Sequence, residues 1–224
     1  TLQAEHRVRA RVIKSRTALC NEIRGFLGEF GVVLPVGISQ LRKALPEILS
    51  QQEQWDDRFM RLLCELAEEL RMLDDRVAGH DRRLAEAARE DICIQRLMKI
   101  EGIGVITASA MVALLGDATQ FKNGREMAAY VGLVPRQHSS GGKQQLGHIS
   151  KRGDSYLRTL VIHGARSVLK TCAGKEDRRS QWLQSVAERR NRNIATVALA
   201  NKNVRIAWAV MSRGEDYHGS RVAG

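Results

Sequence analysis

Two adjacent hydroxyls, Ser139 and Ser140, precede a Gly141-Gly142 pair and lie between two cations, Arg136 and Lys143, with His138 directly before them. Pro135 upstream and the glycine pair rule out a continuing helix, so the segment reads as a loop or hairpin that presents the serines on a pliant stretch of chain. A second group of basic residues follows, His148, Lys151 and Arg152, just ahead of Asp154. Asp154 is the expected N-cap of a helix through Leu157, Leu160, Val161 and Ala165. With Lys151 and Arg152 at its entrance and Arg158 one turn in, that helix suits a phosphate: the dipole favours an anion and a guanidinium offers it a planar fork.

A third feature lies upstream. Leu97 and Ile100 end an amphipathic stretch, Gly102-Ile103-Gly104 follows, and an apolar helix opens at Thr107-Ala108 and runs through Met111, Val112, Leu114 and Leu115. Two glycines around one aliphatic residue allow a tight turn with positive φ and let the next helix begin with its free N–H groups facing outward. This is the pattern of a helix-hairpin-helix, which grips nucleic-acid backbone and not bases. An ordinary interhelical turn is the alternative.

These segments need a scaffold, and the rest of the 224 residues supplies one of mainly α class: 43% of residues are hydrophobic but only 4% aromatic, with 3 prolines, which disfavours a turn-rich β sandwich. Val8, Val12, Leu19, Ile23, Phe26 and Phe30 form one stripe on a first helix, ended by Gly31, Pro35 and Gly37. Ser39 is the expected cap of a short helix over Leu41, Leu45 and Leu49, which Pro46 kinks or restarts. From Trp55 a near-heptad series through Phe59, Leu62, Leu66, Leu70, Leu73, Val77, His80, Leu84 and Ala87 predicts a helix of roughly 40 residues. Together these give an antiparallel helical hairpin or coiled-coil spacer over 1–96, followed by a helical domain over 97–224 that holds the helix-hairpin-helix and the Gly/Ser loop. His80 on the seam reads as a register-setting polar group and not a metal ligand, since no His or Cys lies one turn away. The four cysteines, Cys20, Cys64, Cys93 and Cys172, form no Cys-x-x-Cys pair and are expected to be reduced and mostly buried.

The charge is divided sharply. Residues 1–98 hold 16 basic and 16 acidic side chains, whereas 99–224 hold the other 20 of 36 Lys and Arg and only 9 of 25 Asp and Glu, so the whole net charge of +11 lies in the second part. That asymmetry marks 99–224 as the polyanion-binding part, binding by counterion release, and says nothing about sequence specificity. Near the end, Lys175, Arg178, Arg179, Arg189, Arg190 and Arg192 surround Trp182 and Val186, a cluster that faces either nucleic acid or solvent. Helical stretches 194–200 and 204–211 are expected to pack on the glycine-hairpin helices, with Trp208 in the core and a fraying tail from Gly214. No run approaches the ~18 apolar residues of a membrane helix, and the charged start lacks a signal-peptide core, so a cytoplasmic chain without membrane contact is expected. The first residue, Thr1, is not Met, which raises the expectation of further sequence before it.

The ordered motifs Ile100-Glu101-Gly102-Ile103-Gly104, Gly132-Leu133-Val134-Pro135, Ser139-Ser140-Gly141-Gly142-Lys143 and Ile149-Ser150-Lys151-Arg152-Gly153-Asp154-Ser155-Tyr156-Leu157-Arg158 carry a family resemblance. Over about residues 97–172 the chain resembles the C-terminal domain of DEDD-type insertion-sequence transposases (the insertion sequence 110 / 1111 group), a family that includes Piv-like DNA invertases. The resemblance implies an RNA-guided transposase that recombines DNA under a non-coding bridge RNA. It makes the serine before the glycine pair the nucleophile that forms a phosphoserine-DNA intermediate: Ser140, with Ser139 one register away. Ser150 and Ser155 are then a loop residue and a helix-start residue. His138 is a candidate base or a phosphate contact, and Gly102, Gly104, Arg136, His138, Lys143, His148, Lys151, Arg152 and Arg158 are the expected nucleic-acid contacts.

The same resemblance implies a RuvC-like domain with four acidic ligands for Mg2+ ahead of the spacer. The acids of 1–98 fall on helix surfaces and do not read as that set, so no metal ligand is assigned here, no cofactor is expected in this chain, and the chain alone is expected to be inactive. DNA, the guide RNA and a second copy of the chain are the expected partners, the last as a dimer or tetramer through the coiled coil. The competing class is a non-catalytic architectural DNA-binding protein using the same hairpin and dimeriser. A weaker third reading is an RNA-binding spacer, against which the low aromatic content speaks for base stacking but not for backbone contact.

Overall fold

The apolar periods of the sequence close into helices in a computed structural model, which describes residues 1–51, 55–140 and 143–218; side chains of 138–140 and 143–146 lie outside what is described. The fold is mainly α and its order is α1 (Leu2–Glu29), α2 (Ile38–Ser50), α3 (Asp57–Glu90), α4 (Ile92–Met98), α5 (Val105–Leu115), α6 (Gly124–Tyr130), strands β1 (Pro135–Ser140) and β2 (Lys143–Ile149), then α7 (Ser155–Thr171), α8 (Arg178–Arg189) and α9 (Arg192–Arg213). Two compact units divide within α3, between Arg83 and Leu84. Among the described residues no helix is long and apolar enough to cross a membrane.

In the first unit α1 and α3 run antiparallel, because Arg9 pairs with Asp81 and Arg16 with Asp74 while Phe30, at the far end of α1, meets Trp55 and Phe59. Their shared core is Val12, Leu19, Ile23 and Leu27 against Leu63, Leu70, Leu73 and Val77, with Leu41, Leu45 and Ile48 of α2 closing it. Asp74 also receives Arg42 of α2, so one carboxylate ties all three helices. His80 is buried, and its Nδ1 lies 2.6 Å from Glu5 Oε1, which also accepts from Arg83 Nε at 2.7 Å. It is a polar cross-link of α3 to α1.

Five local expectations change. The seam enters α3 on Leu63, fully buried, and leaves Leu62 41% exposed, since a four-residue step from Phe59 and not a three-residue step faces α1. Gly37, with φ +119, is the N-cap of α2 and Ser39 lies inside the helix. Pro46 sits in an unbroken α2, α3 is 34 residues long, and Phe30 ends half-exposed at the C-cap of α1. Of the cysteines, Cys20 and Cys172 are buried, Cys93 is half-buried and Cys64 is exposed.

The second unit is built around α9, which packs on α4, α6, α7 and α8. Helix α5 is apolar all round, and Thr107, Ala108, Ser109, Ala110 and Met111 are all buried, the signature of an interior helix. Ser109 resolves its hydroxyl by donating to Val105 O at 2.7 Å. Side chains cap five helices of this unit: Asp91 for α4, Asn123 for α6, Asp154 for α7, Asp177 for α8 and Asn191 for α9. Trp208 is partly buried at the core margin, its Nε1 donating to Ala118 O and Phe121 O at 3.1 Å. The segment after α9 is tied down as far as it is described: Asp216 pairs with Lys99 at 2.7 Å and with Arg96, and Tyr217 OH meets Arg179. Charge pairing there overrides the fraying that its composition suggests.

Candidate nucleic-acid interface

The two glycines of the α4–α5 turn have separate tasks. Gly102 has φ +86, and a Cβ there would stand 3.0 Å from Gly164 O and from Val168 Cγ2 on α7. The approach is mutual, since a Cβ on Gly164 would fall 1.8 Å from Gly102 O. Gly104 has φ −91, not the positive φ the pair suggested; it is exposed, has open space around it, and is the N-cap of α5. Glu101 O, beside the turn, accepts from Arg179 Nη2 at 3.1 Å and from Asn203 Nδ2 at 2.9 Å. The turn is therefore held from α7, α8 and α9, and it leaves the start of α5 open.

The serine-bearing segment is an antiparallel β-ribbon, in which Ser139 pairs with Gln144 and Ser140 with Lys143. The glycine pair and the side chains of His138, Ser139, Ser140 and Lys143 lie outside the described residues. At the ribbon's base the structure is tightly determined. Gly132 (φ +82) and Gly153 (φ +86) interlock: a Cβ on the first would meet Arg152 O at 2.0 Å, and on the second Tyr130 O at 1.9 Å. Ser150 N donates to Val134 O at 2.8 Å and Lys151 N to Gly132 O at 3.2 Å, with Lys151 itself at φ +54. Arg158 Nη1 reaches Val131 O and Arg152 O at 3.2 Å and Gly153 O at 3.5 Å, so this part of its guanidinium braces the two turns. Asn201 of α9 holds Leu133 O at 3.2 Å.

The exposed cations are set on this base. Arg136, His148, Lys151 and Arg152 are all exposed, and Arg136 Nη2 donates to Ser150 O at 3.4 Å. Asp154 caps α7 through Leu157 N at 2.7 Å, placing Lys151 and Arg152 just ahead of a 17-residue helix. Gly164 lies nine residues into the same helix, about 14 Å along its axis at 1.5 Å per residue, so α7 carries the ribbon base at its start and the glycine turn further along. Sequence reasoning did not find the Gly132–Gly153 and Gly102–Gly164 contacts, nor the Arg179–Asn203 hold on Glu101. The only signal was glycine itself, which does not name its partner.

The second unit is thus a basic helical domain with a β-ribbon seated at the start of one helix. Its residues 94–182 match the family described as Transposase IS116/IS110/IS902 family. The chain is 52% identical over 218 residues to the "Probable family 20 transposase" of Pseudomonas aeruginosa, covering 96% of this chain and 64% of that protein. It is 45% identical over 217 residues to the "Transposase for insertion sequence element IS1111A" of Coxiella burnetii (96% and 60%), and 36% identical over 213 residues to that of IS1328 from Yersinia enterocolitica (95% and 63%). Over these stretches the chain is similar to transposases of the IS110/IS116/IS902 family. It spans about three fifths of the length of these relatives.

Proposed function

We propose that this chain is the spacer and nucleophile-bearing part of a DEDD-type, RNA-guided DNA transposase, and that Ser140 is the group that attacks DNA. Its Oγ bonds to phosphorus as the bond from phosphorus to a deoxyribose oxygen breaks. The hydroxyl proton passes to a base, and the departing oxygen takes up a proton. The phosphoserine link conserves the broken bond, so rejoining needs no nucleotide cofactor. His138 serves either as that base or as a phosphate contact. Arg136, Lys143, His148, Lys151 and Arg152 neutralise phosphates around the serines, and the open start of α5 after Gly104 receives backbone as a helix-hairpin-helix does.

The observation that carries this reading is the rigid seating of the ribbon. Gly132 against Gly153, with Arg158 across both turns, seats the base of the serine-bearing ribbon next to exposed Arg136, Lys151 and Arg152, within the stretch that matches the transposase family. Positioning of this kind is what a phosphoryl-transfer nucleophile requires.

The family resemblance also implies Mg2+ on a RuvC-like acidic site. Among the described residues there is no group of three His, Cys, Asp or Glu able to hold a metal, and Glu5, Asp74 and Asp81 are engaged by arginines. These residues do not fit that ion, and no step is assigned to it here. Guide RNA and a homo-oligomer through α1–α3 complete the proposal. The test is incubation of the full-length transposase with donor DNA, guide RNA and Mg2+: a covalent protein-DNA adduct is expected, lost in Ser140→Ala and kept in Ser139→Ala. An adduct that survives both substitutions refutes the assignment, and no adduct under any condition favours an architectural DNA-binding protein.

A further inference from the structure

Helix α9 contains no Asp or Glu in its 22 residues, and its Lys202 and Arg205 are three residues apart, neighbours on one face. Helix α8, packed on α9, contributes Arg178 and Trp182, four residues apart. The Lys202 ammonium stands over the Trp182 ring, 4.5 Å from its centroid. That ring is half-buried and packed on the core, while Arg178 and Arg205 are exposed. Partial burial, then the neighbouring Arg179, Arg178 and Arg205, push the Lys202 amine below its ordinary range.

Among the described residues no carboxylate forms an ion pair with Lys202, Arg178 or Arg205. The acid nearest in sequence, Asp177, is used to cap α8 through Ser180 N at 2.9 Å. Cations gathered near one another without a carboxylate repel, and of the three only Lys202 is partnered among the described residues, by the Trp182 ring. An anion from outside the chain accounts for them.

We propose that Arg178, Lys202 and Arg205 form a second phosphodiester site, which takes the backbone of a nucleic-acid duplex irrespective of base sequence. Trp182 is the floor beneath the Lys202 ammonium. With that ring packed on the core and covered by the ammonium, it offers no stacking platform, which sets this site apart from aromatic single-strand grooves. Buried Arg179 is not a contact; through Glu101 O it joins this cluster rigidly to the Gly102 turn. The site uses none of the ribbon's cations and rests on the reading above only for the class of polymer.

The test is fluorescence anisotropy of the full chain with short labelled DNA and RNA duplexes of one sequence, titrated over a range of salt. Combined Arg178→Gln, Lys202→Gln and Arg205→Gln is expected to weaken binding about tenfold or more and to flatten the slope of log K against log salt by about 2.7 on DNA, at about 0.9 per phosphate lost. Lys202→Arg is expected to keep the slope. Should the combined variant unfold, Lys202→Gln alone must still lose about 0.9. Loss on the DNA arm, the RNA arm or both supports the site and names the polymer. An unchanged slope overturns it; if Arg136→Gln, Lys151→Gln and Arg152→Gln still flatten the slope in the same assay, the ribbon reading stands. Salt-independent binding by the unmodified chain overturns both.

Discussion

Gly102, Gly104 and Gly164 look alike in a sequence and differ entirely in what they tolerate. A Cβ at Gly164 would stand 1.8 Å from Gly102 O, about half the separation that atoms normally keep, so α7 or the turn must move. Gly164→Ala should cost about 2–3 kcal/mol in denaturant unfolding and weaken nucleic-acid binding with it. Gly104→Ala meets open space at φ −91 and should change stability by no more than about 1 kcal/mol, the difference between Gly and Ala at an N-cap. Equal losses from the two would contradict the division of labour described. The glycine turn was legible as a turn because Gly is the residue that supplies positive φ. Which glycine needs it was not legible, because the crowding atoms come from residues about 60 positions away.

At the level of elements, periodicity located α1, α2 and α3, because an amphipathic helix writes its buried face into the spacing of its apolar residues. It could not fix the phase at the start of α3, where Leu62 and Leu63 both satisfy a helical step and only packing chooses. Nor could it decide between loop and ribbon at 135–149, since Gly-Gly serves both and strand pairing is made across the turn. A buried group in α1 carries a pH signature. His6 is 1% exposed, and burial first, then Arg9, push its imidazole down to about 4 from 6.5, with Glu5 opposing. The unfolded chain therefore binds the extra proton between these values, so this stabilisation is complete above pH 6.5 and is lost as pH falls towards 4, on the order of 3 kcal/mol in all. Helix unfolding followed by circular dichroism at pH 7 and pH 4.5 should show that loss, and His6→Gln should flatten it over this interval. Glu5 is half-buried, which raises its carboxyl, but His80 and Arg83 hold it below its ordinary value on balance, so its own contribution fades only at lower pH.

At the scale of the whole molecule, the confinement of the net +11 to residues 99–224 was visible from counting alone, and in the second unit it includes cations on the ribbon base and on α8–α9, all exposed but the half-buried Lys202. Six of them, Arg136, Lys151, Arg152, Arg178, Lys202 and Arg205, engaging one phosphate each, predict a slope of log K against log salt of about −5 on duplex DNA. A slope near zero would mean that this surface is solvated and no more. The central claim concerns the serine ribbon, and trypsin offers a direct reading of it: cleavage after Arg136 and Lys143 isolates Gln137–Lys143, which carries Ser139 and Ser140 apart from the peptides of Ser150 and Ser155. Mass spectrometry of the nuclease-trimmed adduct from the full-length protein should find the nucleotide phosphate on Gln137–Lys143, with fragmentation placing it on Ser140. Its recovery on any other peptide would contradict the account.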